Sequence, residues 1–190
     1  MKKIVFLMAA MVLGLATPSQ AANVMAEVRL GDTRSVFQNG HQDSTEYKAE
    51  YNDNYSFVTY GAEIQVRQNS NEGALGSRVS LRSGVQIPQI FGYTPKAYLE
   101  LGKGLSVGND AYFWGAVVGV SHPIMASLTG DVGFRRRQNF QDTNLFTENR
   151  FNLGVTYDIT KNTALGAQYY VYTGGTVNRQ EVGLRVVRSF

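Results

Sequence analysis

The stretch RFNLGVTYDI, residues 150–159, alternates without a break. Phe151, Leu153, Val155, Tyr157 and Ile159 fall on one side, and Arg150, Asn152, Gly154, Thr156 and Asp158 on the other. A repeat of two belongs to a strand with unlike faces; a helix would mix the two sets around its axis. Gly154 adds a second clue. It lies on the charged side, and glycine weakens a strand unless something crowds that side.

The same pattern extends in both directions. It recurs in NVMAEVRLG (23–31), TEYKAEY (45–51), FVTYGAEIQVR (57–67), RVSLRSGV (78–85), KAYLELG (96–102), AYFWGAVVGV (111–120), LTGDVGFR (128–135), LGAQYYVY (165–172) and VGLRVVRSF (182–190). That makes ten strands, or eight if one hairpin around the fifth is lost. Tight links are expected at NDNYS, SHPI and TKN, and a longer one at QIPQIFGY. Polar loops are expected at TRSVFQNGHQDS, QNSNEGALG and RRQNFQDTNLFT, with shorter ones at KGLSVGND and TGGTVN. Alternating short turns and longer loops, with both ends of the series on the turn side, match an antiparallel up-and-down barrel in a membrane.

A soluble barrel also alternates, with its apolar side inward. Glycine placement argues for the opposite orientation. Gly61, Gly84, Gly102, Gly115, Gly119, Gly133, Gly154, Gly166 and Gly183 share the charged face, and only Gly130 falls on the apolar one. A solvated exterior would not crowd that face, whereas a narrow interior filled with Arg, Glu and Tyr would. Aromatics point the same way. Tyr112, Trp114, Phe134 and Phe151 sit near the loop ends of the apolar face, and Tyr51, Tyr157 and Phe190 near its turn ends. Two such girdles are expected where rings lie at headgroup depth. The middle of that face carries no charge, and its apparent breach, Arg188, sits beside the terminus, where its head can snorkel out.

The first 21 residues have Lys2 and Lys3, an apolar run from Ile4 to Leu15, and a small-x-small end at Ser19-Gln20-Ala21. The run is too short for a spanning helix and reads as a cleaved secretory leader. Residues 22–190 then form one domain. The leader holds two of the 18 basic residues, so the net charge of +3 falls to +1 without it. Nothing in that balance favours nucleic acid. The chain has no cysteine, which excludes a disulfide framework and a thiolate site.

With its leader, its hairpin series and its ending VGLRVVRSF, the chain resembles the small outer-membrane β-barrel class, that of the OmpA membrane domain and OmpX. The resemblance implies a barrel in the outer membrane of a double-membrane bacterium, in contact with its lipid and lipopolysaccharide. It also implies that Val182, Leu184, Val186 and Phe190 are read by the outer-membrane assembly machinery. Arg188 stands where that signal usually has an apolar residue. A monomer is the default expectation.

The inward positions hold Arg29, Lys48, Arg67, Arg78, Arg82, Lys96, Arg135, Arg150, Arg179 and Arg185 against Glu27, Glu46, Glu50, Glu63, Glu100, Asp131, Asp158 and Glu181. Buried charges persist when paired, so a lumen network that plugs the barrel is expected. A narrow channel with weak anion preference is the alternative. The run Arg135-Arg136-Arg137 tops the seventh strand. It is either a lipopolysaccharide contact through Arg136 or a strand end that alternates in, out, in.

A catalytic site is not expected. His41 falls in the first long loop and His122 in the SHPI turn. Lipid A deacylase barrels pair a His with a Ser two residues on, but His122 is followed by Pro123 and Ile124. Omptin proteases need longer strands than this chain supplies. The two histidines are too far apart in sequence to suggest a metal set, and no cofactor motif occurs. The outer loops around Phe37–His41, Asn69–Gly73 and Gln138–Phe146 are the expected contact surfaces.

Overall fold

The computed structural model describes residues 22–35, 41–69, 75–106, 111–140, 147–174 and 177–190. Ten antiparallel strands follow one another in chain order: β1 (Asn23–Ser35), β2 (His41–Tyr55), β3 (Val58–Asn69), β4 (Leu75–Gln86), β5 (Thr94–Ser106), β6 (Ala111–Met125), β7 (Leu128–Asn139), β8 (Thr147–Thr160), β9 (Thr163–Thr173) and β10 (Val177–Ser189). Each pairs with its chain neighbours, and β1 pairs with β10, so the sheet closes on itself. Closure leaves no edge with unpaired N–H and C=O groups. Among the described residues no helix is long and apolar enough to cross a membrane.

The closing seam explains the alternation of the last strand. Val182, Leu184 and Val186 of β10 lie opposite Leu30, Val28 and Ala26 of β1. The Phe190 amide donates to the Ala22 carbonyl at 3.0 Å, and the Ser189 amide to the Asn162 carbonyl at 2.9 Å. The chain end is therefore part of the wall.

The register puts the apolar set outside and the ionic set inside. Leu81, Leu153 and Leu184 are each more than 60 % exposed, while Arg29 and Arg137 are fully buried. This inverts a soluble core. It forms an apolar outer wall like that of a membrane barrel, while the polar groups satisfy one another within. Rings flank the wall as expected: Tyr112 and Phe151 toward the loop ends, Tyr157 and Phe190 toward the turn ends, all exposed. Phe134 and Phe151 lie opposite each other on β7 and β8, with ring centres 4.7 Å apart.

The inward glycines accommodate this filling. A Cβ on Gly115 would come within 3.2 Å of Arg137 Cγ and 3.0 Å of Glu100 Oε2. One on Gly133 would meet Asn152 Oδ1 at 2.7 Å. Gly130, on the outer face, faces Ile124 Cδ1 instead.

The strands reach further than their apolar cores suggest. β7 continues through Arg136, Arg137 and Gln138 to Asn139, and β8 begins at Thr147, all within the stretch expected to be a loop. Likewise β1 runs to Ser35, β2 starts at His41, and β3 ends at Asn69. Polar residues at these ends satisfy the ladder, because backbone pairing does not require the side chains to be apolar. Phe140 follows β7, its amide donating to the Tyr112 carbonyl at 3.0 Å. The rest of the expected contact loops lies outside the described residues, as does the leader.

Two turns are displaced. NDNYS was expected to be a tight link, but β2 runs through it to Tyr55 and turns at Ser56-Phe57. SHPI was expected to be a turn, but β6 runs through it to Met125 and turns at Ala126-Ser127, with a register shift between Pro123 and Met125. Proline suggested a break in the chain, but the bulge absorbs its missing N–H within the strand. His122 is thus a strand residue. Its ring stacks on Tyr93 at 4.5 Å, and Nδ1 donates to the Gly92 carbonyl at 2.9 Å. A carbonyl only accepts, so Nδ1 carries the proton in that bond. The contact fastens the β4–β5 link to β6. His41, expected in a loop, opens β2 opposite Arg34.

Candidate functional site

The candidate site is the lumen. Alternate residues of all ten strands enter it, and its two halves differ. Toward the loop ends, side chains fill it. Arg29 is the hub on the β1 side. Its Nη2 lies 2.7 Å from Glu27 and its Nη1 2.6 Å from Glu46, and Nη1 also donates to the Tyr172 hydroxyl at 3.1 Å. The guanidinium lies 4.1 Å above the Tyr170 ring, and the Tyr170 hydroxyl donates to Glu27. One cation is thus held by two carboxylates, a hydroxyl and a ring face. That satisfies its planar donor set far better than a single partner would.

Opposite it, Arg137 is the second hub. It donates to Glu63 at 2.7 Å and to Glu100, with its guanidinium 4.9 Å from the Phe113 ring. Arg135 reaches Glu63 at 3.2 Å and Glu148 at 3.4 Å. Arg78 and Arg179 converge on Glu148 at 3.4 and 3.9 Å, and Arg179 and Arg67 on Glu181 at 2.7 and 3.2 Å. The pairs therefore form a continuous web from β1 around to β10. They are not a set of isolated bridges, and a web is what lets so many charges leave water together.

Toward the turns the packing loosens. Lys48 bridges to Glu50 at 3.0 Å and Glu27 at 3.2 Å, Arg82 pairs with Glu50, and Arg185 with Asp131 at 2.6 Å. Gln168 also donates to Asp131, at 2.8 Å. Below this layer a cavity of about 570 Å³ opens among the strand ends at Asn54, Gln86 and Ser189.

Most of the inward charges read from the sequence meet here. Asp158 does not join the web; it lies exposed at the turn end of β8, lining the cavity mouth. Lys96 and Arg150 face the cavity. Arg137 and Glu148 complete the web; Glu148 was absent from the sequence-derived set, and Arg137 entered it only through the in, out, in reading of the arginine run. Each continues the alternation one step past the last assigned strand residue, Arg137 after Arg135 and Glu148 before Arg150. The arginine run alternates as one reading held: Arg135 and Arg137 are buried in the lumen, and Arg136 is exposed on the outer wall. Among the described residues no group of three or more His, Asp or Glu is placed to hold a metal ion.

No protein-family model and no curated protein sequence matches the chain. Solved structures do. The translocator domain of the autotransporter NalP from Neisseria meningitidis is similar with a TM-score of 0.58 at 12% identity, covering 100% of this chain and 95% of that one. An outer-membrane channel from Pseudomonas putida F1 is similar with a TM-score of 0.62 at 10% identity, over 92% and 97% of the two chains. The β-domain of the Bordetella autotransporter BrkA is similar with a TM-score of 0.56 at 12% identity, over 90% and 100%. Identity this low speaks only to the fold, and in each case that fold is a barrel: the chain has the fold of the outer-membrane β-barrels.

Proposed function

We propose that this chain is an exported, monomeric outer-membrane barrel with a structural or surface-interaction role, closed to solute flow and without catalytic activity. The observation that carries this reading is the ionic web filling the loop-side lumen, with Arg29 and Arg137 wholly buried at its centre. A channel needs water where these side chains stand. Purified protein in planar bilayers should give no stepwise conductance across a range of salt concentrations. The variant Arg29→Ser/Arg137→Ser, which cuts both hubs, should give steps. Steps from the unaltered protein would overturn the closed reading. A folded barrel should also migrate anomalously on a gel until boiled, and the exported protein should begin at Ala22.

Two features of the wall support contact with the membrane and its machinery. Arg136 points outward at the loop end, where outer-leaflet phosphates would lie, and its fork suits them. The β10 seam ending at Phe190 supports the reading that Val182, Leu184, Val186 and Phe190 form an assembly signal. A conversion assay on outer-membrane lipid tests the absence of catalysis. Product formed by the native protein and lost in His41→Ala or His122→Ala would refute it.

The second reading is a narrow pore. The turn-side cavity favours it, since only the loop-side half would have to open, and one of the similar structures is described as a channel.

A further inference from the structure

The turn-side cavity differs from the web above it in having cations that its own acids leave unmatched. Five basic side chains line it: Lys48, Arg82, Lys96, Arg150 and Arg185. Three acidic ones do: Glu50, Asp131 and Asp158. Glu50 is engaged by Lys48 and Arg82, and Asp131 by Arg185 and Gln168. Asp158 is at the mouth. Among the described residues no carboxylate comes within ion-pairing distance of the Lys96 ammonium. Arg150 is 8 % exposed, yet its Nε and Nη1 have no hydrogen-bond partner; its guanidinium has only the Tyr170 ring, at 5.1 Å. A guanidinium this buried normally finds acceptors, because an unpaired buried donor is costly. Arg137 leaves no buried donor without a partner and Arg29 leaves only its Nε, so Arg150 with two such donors, beside a Lys96 that no described carboxylate pairs, is a specific departure.

The rest of the lining complements them. Gln86, Ser121 and Tyr98 offer an amide and two hydroxyls. Those groups suit alcohol functions and would not hold an apolar body. The volume of about 570 Å³ lies in the range of small-molecule sites, roughly 300–1,000 Å³. We propose that this cavity binds a small hydroxylated anion, a sugar-sized molecule bearing one carboxylate or phosphate, with the oxoanion held by Lys96 and Arg150. The opening lies at the turn side, so the ligand enters from the face opposite the long loops. The site does not depend on whether ions cross the web, because binding is an equilibrium property of the cavity alone.

Calorimetry on the folded protein in detergent tests it with four probes: gluconate, glucose 6-phosphate, inorganic phosphate and glucose. At least one of the two hydroxylated anions should bind, and glucose should not; which anion binds identifies the charged group. Lys96→Met should weaken that binding at least tenfold, and Lys161→Gln, at an exposed turn, should leave it unchanged. A second measurement uses the unaltered protein, so it does not depend on how the variant folds. Acylation of lysines followed by mass spectrometry should show Lys96 protected by the bound anion and Lys161 not. Absence of binding by both hydroxylated anions would overturn the proposal. So would equal binding by Lys96→Met, binding of inorganic phosphate alone, or failure of the anion to protect Lys96.

Discussion

Arg137 of β7 donates to Glu63 of β3 at 2.7 Å, although the two strands stand four places apart in a ring of ten. The bond crosses the lumen and ties nearly opposite walls together. Backbone pairing holds each strand only to its neighbours. Contacts of this kind resist flattening of the barrel.

Glu63 is the acceptor on which most of that bracing converges. Arg135, Arg137 and Gln65 all donate to its Oε1. Glu63→Ala removes a carboxylate that two buried guanidinium groups share, leaving Arg137 with Glu100 and Arg135 with Glu148 at 3.4 Å; breaking a buried pair costs about 3–5 kcal/mol. Urea unfolding in lipid vesicles, followed by the folded and unfolded gel bands, should show a loss of that order. Glu63→Gln keeps an acceptor oxygen and should lose less.

Tyr170→Phe isolates one hydrogen bond. The ring remains under Arg29 at 4.1 Å, but the donor to Glu27 is gone. A hydrogen bond to a charged group is worth about 1.5–3 kcal/mol. The same unfolding measurement should report a loss in that range. Tyr170→Ala, which also removes the ring, should exceed it.

The two faces should respond oppositely to charge and to size. Leu153→Arg places a cation on the outer wall and should cost about 2–4 kcal/mol in a bilayer. Gly115→Val adds no charge but drives methyl groups into Glu100 and Arg137, and overpacking of that kind costs about 1–3 kcal/mol. Measured in detergent micelles, the Leu153 penalty should shrink while the Gly115 penalty stays, because only the first depends on lipid.

Arg136→Ala should lower affinity for lipopolysaccharide without changing the unfolding midpoint, since its neighbours Arg135 and Arg137 carry the lumen contacts. Titration of folded protein with lipopolysaccharide and with its dephosphorylated form checks this. An equal response of native and variant protein to both would exclude a phosphate contact.

The outward turn of Arg136 shows where sequence reading was sufficient. Once Phe134 is known to face out, a period of two fixes Arg135 in, Arg136 out and Arg137 in. The same rule gave all ten strands, and the glycines of the charged face with the aromatics of the apolar face gave the orientation of the wall. It failed at strand ends and at Pro123. Polar residues at 136–139 and 147–149 carry no apolar signal, so strand and loop look alike there. That hid Glu148, a member of the web, and left Arg137 in the lumen under only one of two readings of the arginine run. Proline in SHPI mimicked a turn because a bulge leaves no mark in composition.

The sequence by itself determined which residues face the lumen, because side-chain direction in a strand depends only on position along the chain. It could not determine which of those residues touch. The partners Arg137 and Glu63, or Arg29 and Tyr172, are 74 and 143 residues apart. They meet only because closure of β1 on β10 sets the curvature and the stagger of every strand. Closure also decided that the charges nearer the loops are matched while Lys96 and Arg150 are left facing an open cavity. Pairing across a lumen is a property of the closed ring, and no single strand contains it.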